Sequence, residues 1–245
     1  MAYTPILASA ILAAVVLLAP FITRFIKDHH GLHAFNVGIS ISYIFVGVFP
    51  HIAMWQKKLM DSHVVYHQQL ANLLFVIALA GFVATLGLIL NANRHQASES
   101  QNPFLGLSER NNAALIISLA VYCFMVGYIF SLPRMESLIE LSLLTLAMIA
   151  HFAGLTILLR EQSADIYDRQ ARYVLAVALV AGVLVGGNEG FLLPYRAAPY
   201  AYVSGTVIVL GTAYELPKLK RYGDFPHFVA GAVAFAVVIQ LVGLD

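Results

Sequence analysis

"LTLAMIAHFAGLTILL", Leu144 to Leu159, is apolar over nearly its whole length and carries one histidine, His151, in its middle. A run of this length and character is a helix in an apolar solvent, because lipid tolerates no unpaired backbone N–H or C=O. The imidazole is then either a satisfied interior polar group or part of a device that handles a charged solute.

The rest of the chain fits the same solvent. Of 245 residues, 60% are hydrophobic and only 11% charged, with a mean hydropathy of +0.80. A soluble domain is about 45–50% apolar and about 25% charged. A net charge of +1 with no basic stripe excludes a nucleic-acid partner. The single cysteine, Cys123, has no partner for an internal disulfide.

A hydrocarbon core about 30 Å thick needs roughly 20 apolar helical residues. Eight segments meet this, at about 5–26, 36–55, 69–90, 112–131, 137–159, 172–190, 200–217 and 227–244. They do not alternate apolar and polar residues, so helices and not barrel strands are expected. The first lacks a preceding basic region and reads as a span, not a signal peptide. The expected architecture is all-α: one polytopic membrane domain, residues 1–245, of eight transmembrane helices. Polar stretches such as "NANRHQASESQNPFLGLSER" (91–110) and "REQSADIYDRQAR" (160–172) read as connections, and "FPHF" (225–228) as an interfacial turn.

Basic residues set the orientation. Arg24, Lys27, Arg94, Arg110, Arg160, Arg169, Arg172, Lys218, Lys220 and Arg221 lie at the odd connections, against Lys57, Lys58, Arg134 and Arg196 at the even ones. Ten against four places the odd connections in the cytoplasm and both termini outside. The expected location is the plasma (inner) membrane. The expected partners are the lipid bilayer and a second copy of the chain.

Few ionisable groups interrupt the spans. Glu140 precedes His151 by eleven residues, about three turns, and shares its helical face. Glu215 sits near the cytoplasmic end of the seventh segment, and Asn188 and Glu189 close the sixth. His63 and His67 have i, i+4 spacing but no third ligand nearby, and "DHHGLH" (28–33) is a short, nonspecific cluster. The histidines are divided between both sides of the membrane. No nucleophile triad, phosphate loop or cysteine pair is present, so no enzyme is expected.

The order of the segments resembles the ZIP (Zrt/Irt-like) metal transporter family over most of the chain. The seventh segment, "SGTVIVLGTAYELPK" (204–218), looks like the family's seventh span, with Gly205, Thr206, Glu215 and Pro217 in place. The second, "GISISYIFVGVFPHI" (38–52), looks like its second span. The resemblance implies a ZIP-like bundle with an inverted repeat between the first three and last three spans, and a divalent metal as the transported ion.

The family's metal motifs are degenerate here. In the fourth segment Tyr122 stands at the motif histidine, Cys123 at the Asn or Ser and Val126 at the Glu, while Gly127 is kept. In the fifth, His151 is kept, but Gly154 replaces Pro and Leu155 replaces Glu. Gly47 stands where many members have histidine in the second. The transport pathway implied is His151, Tyr122, Cys123, Glu215 and Glu140, with His151 as the surviving metal ligand. Zinc prefers about four N, S or O donors, and a buried dication needs carboxylates to offset its charge. One imidazole, one phenol and one thiol do not meet that requirement. The expected function is therefore a divergent ZIP-like transporter whose two-metal site is largely lost, or else a non-transporting regulator, scaffold or partner subunit.

Overall fold

The computed structural model describes residues 3–21, 30–61, 65–99, 107–131, 138–187, 193–216 and 224–242. Helix accounts for 97% of them, and no strand occurs among them. The chain is an all-helical membrane protein. In order, the elements are α1 (Tyr3–Leu17), α2 (His30–Tyr43), the π-helical π1 (Ile44–Val48), α3 (Phe49–Met60), α4 (Val65–Glu99) and α5 (Leu107–Phe130). Then come α6 (Leu138–Ile166), π2 (Tyr167–Ala171), α7 (Arg172–Gly186), α8 (Leu193–Val209), π3 (Leu210–Glu215) and α9 (Phe225–Val242).

Among the described residues, four helical stretches are long and apolar enough to cross a bilayer: Ala34–Met60, Gln68–Leu90, Ala113–Phe130 and Ala164–Gly186. Ile6–Leu17, Leu144–Ile157 and Phe225–Gln240 are apolar but shorter. The outer surface is itself apolar. Only 28% of the Gln68–Leu90 span is buried, and Phe75, Leu79 and Val83 on α4 are at least half exposed. A continuous exposed apolar surface of this kind needs lipid or another protein against it.

Several boundaries differ from the sequence reading, each for a local reason. The first helix is interrupted after Leu17 and resumes at residues 19–21, because Pro20 cannot donate to the helical ladder and crowds the turn before it; the expected end near residue 26 lies outside the described residues. Helix α4 runs on to Glu99, so the first part of 91–110 is helical and not a loop. The stretch 160–172 is also helical throughout. No glycine or proline interrupts residues 155–181, and its Arg, Glu, Gln and Ala are good helix formers despite their polarity. "FPHF" is the first turn of α9, not a turn before it. Asp224 precedes it, taking the Phe228 N–H on its carbonyl and the His227 Nδ1 on its carboxylate at 2.6 Å, and proline is tolerated in a first turn.

Three closely packed helix pairs form the framework: α5 with α7, α2 with α9, and α4 with α8. Glycine makes each approach close, as small residues do between helices in lipid. A methyl group on Gly127 would overlap the Leu179 carbonyl, and one on Gly182 the Phe124 carbonyl. Gly38 meets Phe228 in the same way, Gly231 meets Phe35, Gly81 meets Tyr202, and Gly205 meets Ala78.

The contacts also fix direction. Moving along α2 from Gly31 to Tyr43, its partners on α9 advance from Asp224 and His227 to Phe235. The members of this pair are therefore parallel. So are α5 and α7, where Gly182 faces Phe124 and Gly186 faces Tyr128.

The chain reverses between α6 and α7. On α5, Tyr122 meets His151 and Phe152, while Gly127, barely a turn and a half later, meets Leu179. A straight helix would separate residues 151 and 179 by about 42 Å at 1.5 Å per residue. The corner is tied by Arg160, which donates from Nε and Nη2 to the two Asp168 carboxylate oxygens at 3.1 and 3.0 Å. The buried Tyr167 hydroxyl donates to the Val16 carbonyl at 2.9 Å and anchors the corner to α1. The Arg160–Asp168 pair is partly solvated, with side chains 23% and 35% exposed. Asp168→Asn is expected to cost only about 0.5–1 kcal/mol, read as a small fall in the melting midpoint in detergent.

Candidate functional site

Tyr122 and His151, paired by the sequence reading, do meet. Helix α6 places His151 fully buried at its centre. Its ring lies edge-on to Tyr122, with centroids 6.0 Å apart and planes at 70°. Tyr122 stacks on Phe152 at 6.0 Å and 27°. Asn36 on α2 donates from Nδ2 to the Ala150 carbonyl at 2.8 Å, which pins the backbone next to His151. Cys123, one residue beyond Tyr122, is a free buried thiol within the main apolar core.

Glu215 is the last residue of π3, and Glu140 lies in the first turn of α6. Their side chains lie outside the described ones, as do those of Asn188, Glu189, His63 and His67.

A cleft opens one turn from His151, between four parts of the chain. Tyr43 and His51 line it from the second segment, and Val126 and Phe130 from the fourth. Met148 contributes from the fifth, and Tyr200 and Ser204 from the seventh. Its volume is about 30 Å³ on the scale where one water needs roughly 10–15 Å³, so two or three waters fit. The His51 ring stacks flat on Tyr200, with centroids 6.0 Å apart and planes at 6°. Trp55 packs on the same tyrosine at 5.6 Å.

Local sequence explains why His51 is presented there. Pro50 lacks an N–H, and its ring crowds the carbonyl four residues back. The helix relieves this by widening: the Phe49 N–H bonds the Ile44 carbonyl, a five-residue step that makes Ile44–Val48 a π-helical turn. The Gly47 carbonyl in that turn accepts from His51 Nδ1 at 2.8 Å. Since a carbonyl only accepts, Nδ1 carries the proton, and Nε2 of the neutral ring is an acceptor.

Among the described residues, no three His, Cys, Asp or Glu side chains gather as a metal-ligand set. The ring contact of His151 with Tyr122 joins one imidazole and one phenol, which by themselves do not fit the roughly four-donor shell of zinc.

The sequence reading treated His51 as the end of a span, and did not use Tyr200. A signal for both was available. Gly38 and Pro50 are twelve residues apart, as are Gly205 and Pro217. The first interval contains π1 and the second contains π3. Their glycine partners lie in the similar strings "AGAVAF" (230–235) and "AGFVAT" (80–85).

No protein-family model, no curated protein and no solved structure matches this chain. The fold and cleft therefore define a class, an all-helical membrane protein with a small internal cleft.

Proposed function

We propose that the chain is a divergent ZIP-like membrane transporter, of eight spans with outward termini, in which the central two-metal site is largely lost. One observation carries this reading: the cleft is walled by the second and seventh segments, which resemble the family's spans, and by the fourth and fifth, which hold the degenerate motif positions. The repeated Gly–π–Pro interval supports an inverted repeat. In the eight-span orientation, α2 and α9 run outward while α4 and α8 run inward. The two glycine-locked pairs are then inverted copies, and one rocks against the other to give alternating access. His151 acts as a ligand or proton carrier below the cleft, since an imidazole nitrogen can hold a metal or a proton. Tyr122 and Cys123 line its surroundings, Glu140 stands at the outer mouth and Glu215 at the inner gate.

A second reading, a non-transporting ZIP-like scaffold or partner subunit, is favoured by the complete burial of His151 among Tyr122 and Phe152. Elemental analysis of purified protein and uptake into proteoliposomes separate these readings. Transport of at least one probe (zinc, manganese, protons or a small neutral solute) with far less than one bound metal per chain is the expected result. Near-unit bound metal overturns the lost-site reading, and absence of flux with every probe selects the scaffold.

A further inference from the structure

The polar groups of the cleft are suited to a solute without charge. His51 Nδ1 is committed to the Gly47 carbonyl at 2.8 Å. That leaves Nε2 as an acceptor, and it has no protein partner among the described residues. The Tyr43 hydroxyl, on the same cleft, likewise makes no hydrogen bond to protein among the described residues, and it is a donor. The Ser204 hydroxyl is already satisfied, donating to the Tyr200 carbonyl at 2.6 Å.

No lining residue bears a carboxylate, an ammonium or a guanidinium. A dication that shed its water here would find no counter-charge, and an anion would fare no better. A neutral molecule that both donates and accepts loses little by exchanging water for these two groups. The room for two or three waters limits it to about three or four non-hydrogen atoms.

We infer that the cleft between the second, fourth, fifth and seventh segments binds a small neutral amide-like solute, which donates to His51 Nε2 and accepts from the Tyr43 hydroxyl. The flat His51–Tyr200 stack holds the imidazole in place, so the acceptor is set before the solute arrives. This inference rests on the transporter reading and specifies its substrate class.

The test uses the full chain in proteoliposomes, with urea and formamide as probes followed by stopped-flow light scattering, and zinc and proton uptake measured in parallel. Amide permeability is expected to exceed that of protein-free vesicles at least tenfold. His51→Phe keeps a ring against Tyr200 and removes the acceptor, while Tyr43→Phe removes the donor. Each is expected to lower permeability at least tenfold with the thermal melting curve little changed. Amide flux no greater than in empty vesicles, alongside zinc or proton flux, overturns this inference and leaves the transporter reading standing. Absence of flux with all probes overturns both. Full amide flux in well-folded His51→Phe and Tyr43→Phe variants overturns the site assignment.

Discussion

Alanine at position 205 is expected to destabilise the protein, whereas alanine at position 87 is expected to stabilise it. Both glycines lie in long apolar helices, and by helix propensity alone both substitutions should help by about 0.5–1 kcal/mol. Their surroundings differ. A methyl group on Gly205 would overlap the Ala78 carbonyl and press on the Phe82 amide, and both obstacles are backbone. Neither can rotate away, so α8 must move off α4. That movement strains the Thr85–Thr206 hydroxyl contact, 3.2 Å long and buried between the same helices. Overpacking of this kind costs roughly 1–3 kcal/mol and outweighs the propensity gain. At Gly87 nothing lies within 4 Å of the added carbon, and only the gain remains. Thermal melts in one detergent, read by circular dichroism, give the two signs directly. Equal shifts in the same direction would show that α4 and α8 do not approach as described.

The helices were legible because lipid solubility writes them as long apolar runs, and each of the eight runs overlaps a helix in the structure. Their ends were less legible. Polar residues were read as breaks, but residues 160–172 contain no helix breaker and stay helical through the corner. Pro20 was the stronger signal, and it breaks the first segment just after Leu17.

Within the candidate site, Tyr122 and His151 could be paired through the motif positions that the resemblance assigns them. His51 could not. Its neighbours in sequence, Phe49 and Pro50, describe a helix approaching the membrane surface. Its stacking partner Tyr200 is brought to it only by tertiary packing. The π-helical turn before Pro50 was hidden for a similar reason, since it depends on which carbonyl the proline displaces, and hydropathy carries no trace of that.

His151→Phe and His151→Ala are expected to separate packing from transport. The imidazole is completely buried and fills space against Tyr122 and Phe152. Truncation to alanine leaves a cavity where a ring stood, which costs about 3 kcal/mol on the scale of buried aromatic-to-alanine changes. A melting midpoint lowered by many degrees is expected for that variant, and any loss of flux in it has a structural explanation. Phenylalanine keeps a ring of similar size and the two edge-on aromatic contacts, so its cost stays below about 1.5 kcal/mol. It has no nitrogen with which to bind a solute or carry a proton. On the transporter reading, His151→Phe therefore folds nearly as the parent chain does, yet loses at least tenfold in proteoliposome flux of whichever probe the parent carries. The scaffold reading expects a well-folded His151→Phe and no flux in parent or variant. A folded His151→Phe protein with undiminished flux would remove the imidazole from the pathway and leave it as a packing residue alone.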